Sequence, residues 1–382
     1  MTDAASDLRQ QARDTFKALN GFYSFSSNFW RQGHVFDTVI DYFDLEPEGS
    51  AAFGAEAIVA HNSANGDWFD DYGWWGIAGL RAVQRPQLFP QTSDFTRIVD
   101  QSWAKMAPAS TVWEKSDQQT YAAMAPRFAG GVWNGFWPGK NVPTGQSPCL
   151  PSSTSLLCGI QNTVMNGLYL VFTARLTGAK GDQGPYWANA QREHAFLHDW
   201  FDVQDPAWRL LRTVGSGVLV RERVSTYANG GALCGYRPDL AWAGDQGLIL
   251  GGLVDMMRQL PPIDPAYRRD LAIARDILEG VLTGLFKDGV LLAWTPGEAP
   301  GGDTCDYLTG VAVFLRYLVY AFKNNLDLRQ TILDKGYRDL IVGSVTRPAF
   351  TAACNDTFYE REMIVTSNRL ALLVAAIVLS EA

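Results

Sequence analysis

Residues 68–83 read WFDDYGWWGIAGLRAV. Two adjacent carboxylates, Asp70 and Asp71, open a stretch of helical period over 70–83 and sit inside a wall of aromatics. Two readings follow. Carboxylates at a helix start accept from free backbone N–H groups and complement the helix dipole, which would leave Trp74 and Trp75 as ordinary core residues. In the chemical reading, desolvation by the aromatics and mutual repulsion raise a carboxyl pKa, so that one of the pair holds its proton while the other stays ionised. Glycosidic bond cleavage requires one carboxyl of each kind, and flat aromatic faces suit the stacking of sugar rings.

Outward from this stretch the helical period recurs. It predicts helices near 6–21, 34–43, 54–61, 70–83, 95–106, 159–176, 184–201, 244–259, 265–285, 306–322, 328–342 and 361–379. Strand signals are few: 217–224 (GVLVRERV) and 289–294 (GVLLAW) read as short β-ribbons on helix connections. The Gly-, Pro-, Ser- and Trp-rich stretch 127–159 reads as a loop, and a loop of that length in a compact domain is usually functional or disordered. Its two tryptophans, Trp133 and Trp137, argue against disorder. With no linker in sight, the expected architecture is a single all-α domain of helical hairpins over 1–382. Periodicity alone does not say whether the hairpins close into a ring.

Composition narrows the function. The chain has 382 residues and a net charge of -8, with no Lys/Arg run, which excludes a basic nucleic-acid-binding surface. Its 13 tryptophans fit a thick core or a carbohydrate groove and not a coiled coil or a disordered chain. The N-terminal 19 residues carry no apolar h-region. The run 370–379 is too short to span a bilayer and reads as a buried helix, so no membrane span is expected. The native compartment stays open between cytoplasmic and secreted or cell-surface. Five cysteines form no CxxC; Cys149 and Cys158 bracket a loop and are expected to pair in an exported protein, with Cys234, Cys305 and Cys354 uncommitted. With only four histidines, His34, His61, His194 and His198, metal chemistry and a His-based triad have little support.

The Asp pair has companions. GGVWN at 130–134 carries Trp133 and Asn134. QNTVMNGL at 161–168 carries Asn162 and Asn166 at the opening of a helix. AGDQGL at 243–248 carries Asp245 and Gln246. Asp303, Asp306 and Tyr307 open a further helix. Each is a polar helix entry with two readings, a cap or a hydroxyl-binding group. Four such entries together with an aromatic-walled Asp pair favour a sugar site.

These motifs, in this order and spanning roughly 10–380, resemble glycoside hydrolase family 76, the endo-α-1,6-mannanase family. The family's aromatic-Asp-Asp-x-x-Trp-Trp segment is matched by Phe69 to Trp75, its Gly-Gly-x-Trp segment by Gly130 to Trp133, and its Asn-x-x-x-Asn helix by Asn162 and Asn166 with Ala174-Arg175-Leu176. The resemblance implies an (α/α)6 toroid, retaining hydrolysis of α-1,6-linked mannose in an oligo- or polysaccharide, and no metal or other cofactor. By similarity Asp70 is the nucleophile and Asp71 the general acid/base. Trp74, Trp75, Trp133, Asn134, Asn162, Asn166, Asp245, Gln246, Asp303, Asp306 and Tyr307 bind substrate. Asp245 stands where the family usually has Asn, which implies a shifted sugar specificity. The competing expectations are a transglycosylase or a hydrolase of another α-linked glycan using the same pair, and a non-catalytic glycan-binding protein.

Overall fold

The computed structural model describes residues 3–66, 68–107, 135–137, 158–181, 184–202, 209–222, 224–227, 233–234, 240–298, 300 and 304–381. The helices are α1 (Asp3–Tyr23), α2 (Phe29–Phe43), α3 (Ser50–Ser63), α4 (Phe69–Val83), α5 (Thr92–Met106), α6 (Thr163–Lys180), α7 (Tyr186–Phe201), α8 (Ala243–Met257), α9 (Pro265–Gly284), α10 (Thr304–Leu308), α11 (Gly310–Asn324), α12 (Leu326–Asp334), α13 (Tyr337–Ser344) and α14 (Phe358–Ser380).

Burial sorts them into two layers. Every residue of α8 is buried, whereas α9 buries a stripe, Asp270, Leu271, Ala274, Ile277, Leu278 and Val281, at the spacing of one helix face. The helices buried on most sides form an inner ring in which each packs on the next: α2 on α4, α4 on α6, α6 on α8, α8 on α11, α11 on α14, and α14 back on α2. Outside it, α1 packs on α14, α3 on α2, α5 on α4, α7 on α6, α9 on α8, and α12 with α13 on α11 and α14. The expected helical hairpins thus close into an (α/α)6 toroid.

Glycine sets how closely the inner ring packs. The fifth residue of four successive inner helices is Gly33, Gly73, Gly167 and Gly247, and each faces the next helix. A Cβ on Gly33 would lie 2.9 Å from the Trp75 ring, on Gly167 2.9 Å from Leu248, and on Gly247 2.8 Å from the Phe314 Cα. The inner helices therefore run parallel, with their N-termini gathered at one face. At Gly247 the obstacle is backbone, which cannot swing aside. Gly247→Ala is expected to cost about 1–3 kcal/mol by overpacking. Gly343→Ala, on an open helix face with nothing within 4 Å, should be neutral or stabilising by up to about 1 kcal/mol. Urea unfolding of the two variants checks the contrast.

Capping side chains mark five of the helix starts. Asn28, Asn162, Asp264, Asn325 and Thr357 each accept a backbone N–H two or three residues on. Several boundaries differ from expectation. The helix read from 159 begins only at Thr163, because 158–162 is a strand and Asn162 is the cap. The helix read over 328–342 breaks at Gly336, whose φ of 75° an α-helix does not admit. The stretch read over 306–322 divides at Thr309 into α10 and α11.

The strands are short. β1 (Gly135–Trp137), β2 (Cys158–Asn162), β5 (Val224–Tyr227) and β6 (Leu233–Cys234) form an antiparallel sheet in the order β1-β2-β5-β6, with Ile160 opposite Gly135 on one side and Thr226 on the other. Part of the expected loop 127–159 therefore belongs to a sheet. β3 (Leu211–Val214) pairs with β4 (Gly217–Val220), and β7 (Phe286–Lys287) with β8 (Val290–Leu291). The last turn places Asp288 and Gly289 at φ 52° and 74°, the Asp-Gly signature of a type I′ hairpin. Both ribbons lie on helix connections, as the sequence suggested, although the first stops at Val220 and a new strand starts at Val224.

Two helical stretches, Thr304–Asn324 and Phe358–Ser380, are long and apolar enough to cross a membrane, and the run 370–379 lies inside the second. In the toroid 83% and 78% of their most apolar windows are buried, which is where an inner-ring helix puts its apolar surface.

Candidate active site

The N-terminal face of the inner ring collects the polar helix entries. Asp70 and Asp71 are the second and third residues of α4. Asp70 is half-buried and Asp71 is 8% exposed. The backbone N–H of Trp68 donates to Asp71 Oδ2 at 2.9 Å, so the capping role does operate, on one of the two carboxyls. Behind Asp71 the chain passes at Gly66, where a Cβ would lie 2.5 Å from Asp71 Cβ and 2.9 Å from Oδ2. Only a glycine lets the backbone run this close to the carboxyl. The Tyr72 and Trp75 rings lie 5.2 and 5.8 Å from Phe29, and Trp74 lies 5.8 Å from half-buried Trp30.

The other expected site residues divide by exposure. Asn162, Asp306 and Tyr307 are half-buried at this face. Trp75 has no exposed surface, and its indole N–H donates to Phe29 O at 2.7 Å. Trp74 is buried beside His34. Asn166 is fully buried and donates to Asn162 O. Gln246 is fully buried and takes over the backbone of Val220, accepting its N–H and donating to its carbonyl, both at 2.7 Å, so that it fastens β4 to the start of α8. Trp133, Asn134 and Asp303 lie outside the described residues. The Cys149–Cys158 pairing does too.

Asp245 is fully buried against Glu222, itself 3% exposed. Burial, then the Glu222 charge and a hydrogen bond with it, push the Asp245 carboxyl well above its ordinary value of 3.8. The folded state therefore keeps a proton that the unfolded chain releases. That stabilisation is complete below about pH 3.8 and is lost as pH rises through the folded value. Asp245→Asn removes the penalty. The Tm of this variant is expected to gain on wild type as pH climbs from 4 to 8, by about 3 °C or more at the upper end. A Tm difference that stays flat with pH would contradict the buried-acid assignment.

Sequence reading missed a second polar centre. Arg31, the third residue of α2, donates through Nε and Nη2 to Asp306 Oδ1 at 2.9 and 2.6 Å, and through Nη1 to Asp356. Glu360 Oε2 stands 3.7 Å from the same guanidinium, and its Oε1 accepts from Ser26 Oγ and the Ser27 N–H. The carboxylates outweigh the burial and keep Arg31 charged. Beside this cluster Cys305 and Cys354 form a disulfide. Two of the three cysteines left uncommitted by the sequence thus tie α10 to the segment before α14. Closing a loop of 49 residues is worth about 4 kcal/mol in the chain-entropy model.

Below this face the axis of the ring holds paired charges. Asp37 accepts from Arg81 and Arg316, Asp41 from Arg81, and Asp255 from Arg175 at 2.8 Å. Arg316 also donates to His34 Nδ1 at 3.1 Å. Burial and the Arg316 charge hold His34 far below its usual pKa, so it is neutral. At the opposite end a cavity of about 370 Å³ opens among Asp44, Arg85, Arg258 and Lys323.

No protein-family model and no curated protein matches the chain. Solved structures do. The family 76 α-1,6-mannanase of Salegentibacter sp. HEL1_6 superposes with a TM-score of 0.62 at 16% identity, covering 97% of this chain and 99% of its own. An inactive variant of that enzyme, with two consecutive aspartates changed to alanine, is in complex with α-1,6-mannotetrose (TM-score 0.62, 15% identity, 97% and 99% covered). The family 76 α-mannanase of Bacteroides thetaiotaomicron gives 0.58 at 12% identity, with 97% and 95% covered. A family 105 glycoside hydrolase of C. acetobutylicum gives 0.59 at 10%. With its closed inner ring and full-length superposition, the chain has the toroidal fold of the glycoside hydrolase family 76 α-mannanases.

Proposed function

We propose that this protein is a glycoside hydrolase that cleaves an α-linked mannan with retention, Asp70 acting as nucleophile and Asp71 as general acid/base. The observation that carries the reading is the adjacent Asp70–Asp71 pair at the N-terminal face of the toroid, in a fold whose mannotetrose-bound neighbour is inactive with two consecutive aspartates removed. A retaining pair needs its carboxyls about 5–5.5 Å apart. A helix entry allows this, because the chain is still turning into the helix there and neighbouring side chains need not diverge fully.

Substrate contact falls to the half-exposed groups, Trp30, Asn162, Asp306 and Tyr307. The fully buried Trp75, Asn166 and Gln246 act on the site through the backbone they hold. Asp245 influences sugar preference through the Glu222 pair. Reducing-sugar release from a panel of α-mannans, with α-1,6-linked mannan first, tests the proposal. Activity confined to non-mannose glycans would overturn the substrate. Binding without turnover would overturn the enzyme reading.

Gly66 gives a finer test. A methyl group there must displace Asp71, and misplacing a catalytic group by about 1 Å costs on the order of 100-fold. Gly66→Ala is expected to lower kcat about 10- to 100-fold while the affinity for mannotetraose, measured by calorimetry, holds within a few-fold. A loss of affinity equal to the loss of kcat would place Gly66 in binding instead.

A further inference from the structure

His194, His198 and Asp270 converge in the outer layer, away from the polar helix entries. His194 and His198 are four residues apart on α7, hence on one helix face, and Asp270 projects from α9. Asp270 has no exposed surface, and the histidine side chains are 11% and 9% exposed. Three atoms form a tight triangle: His194 Nε2 to Asp270 Oδ1 is 2.9 Å, His198 Nε2 to the same oxygen 2.7 Å, and the two Nε2 atoms are 2.9 Å apart. Asp270 Oδ2 is a further 3.0 Å from His194.

Hydrogen bonds alone do not satisfy this triangle while Asp270 is ionised. If both Nε2 atoms carry protons toward the carboxylate, they meet each other donor to donor. If one is bare to accept from the other, its lone pair faces the carboxylate oxygen. One edge is repulsive in either arrangement. A cation at the centre makes all three atoms lone-pair donors and removes the conflict. We propose that His194 Nε2, His198 Nε2 and Asp270 bind a divalent transition-metal ion, zinc being the best match to two imidazoles and a carboxylate. An ion about 2.0–2.1 Å from each atom sits roughly 1.2 Å off their plane, leaving a coordination position open on the far side.

The ion is a brace. Helix α7 packs on α6 and α9 on α8, so the metal links the outer helices of neighbouring hairpins, which the exposed Arg269–Asp202 ion pair also joins. It lies outside the Asp70–Asp71 chemistry and supplies none of it.

Untagged protein, purified without chelator, is the material for the test. Elemental mass spectrometry should find about one transition-metal ion per chain. After chelator treatment, cobalt(II) should titrate to one equivalent with visible d–d absorption, and zinc should displace it. Stripping is expected to lower Tm by at least about 3 °C, with zinc restoring it. His198→Gln and Asp270→Asn, checked for folding by circular dichroism, should lose the cobalt spectrum, while His61→Gln keeps it. Wild-type protein that is folded yet purifies without metal and shows neither cobalt absorption nor a zinc-dependent Tm shift overturns the proposal. So does a cobalt spectrum that survives both variants.

Discussion

Asp70→Asn is expected to abolish turnover on every substrate, a loss of about 10⁴-fold or more, because no other group supplies the covalent step. Asp71→Asn should behave differently. A natural mannan has a poor leaving group that needs a proton, so cleavage of the polymer should also collapse. An activated aryl mannoside leaves without help and should lose less in its first step. Deglycosylation then stalls, since the same carboxyl must activate water, and a glycosyl-enzyme should accumulate and be visible by intact mass. Azide needs no base. It should restore rate to the Asp71 variant and give a product of retained configuration. An inverted first product, or two variants with the same leaving-group and azide response, would reverse or void the assignment. The Trp68 N–H bond to Asp71 makes this a sharp question, because it ties down the residue assigned the proton-carrying role.

The largest loss of stability is expected away from that chemistry. Asp37 is 1% exposed and holds both Arg81 and Arg316, the latter with a 2% exposed side chain. Asp37→Asn leaves Arg316 buried without a carboxylate, and breaking such a pair from one side costs about 3–5 kcal/mol. By contrast Asp44→Asn, which breaks a pair with Arg85 at 24% exposure on each side, should cost at most about 1 kcal/mol. The sign of the pH effect follows from the titration. Burial works to raise Asp37, but Arg316 and Arg81 outweigh it and hold the carboxyl below its ordinary 3.8. Its contribution is present above that value and is lost as pH falls through the lower folded one. The gap between wild type and Asp37→Asn in urea unfolding should therefore be constant from pH 8 to 5 and shrink below about pH 4. A gap that widens in acid would mean that the carboxylate is not what steadies the arginines.

Why these residues were hard to see is physical. Helical period exposed nearly every helix, because an apolar stripe is a local pattern. Ring closure is not local. It rests on α14 meeting α2 and on glycines five residues into four inner helices, of which Gly73, Gly167 and Gly247 lie inside motifs that their polar residues dominate. The Asp pair was legible because its aromatic wall is contiguous in sequence. At Asn166, Gln246 and Trp75 the residue types are legible but their direction is not, since composition does not reveal which side of a helix entry faces backbone and which faces solvent. Local sequence does not single out Arg31, because its partner Asp306 is 275 residues away. Cys305 and Cys354 were likewise unpairable from spacing, at a separation of 49. The spacing of His194 and His198 was readable on a correctly predicted helix, but two ligands suggest no site until Asp270 joins them from the next outer helix.

The packing of α1 along α14, with Arg9 bonded to Glu381 at 2.7 Å, has a practical side. Helix α1 runs toward the face that carries Asp70 and α14 runs away from it, so the start of one and the end of the other lie together on the reverse face. A protein fused at either end, or a surface to which the chain is tethered, would hang behind the ring and leave long polymers free to approach the front. A peptide of a few residues joining the two ends would turn the toroid of helices into a circle of backbone. The nick could then be moved to a connection such as Gly336, giving a permuted molecule whose stability depends on the same six inner contacts in a different order of synthesis.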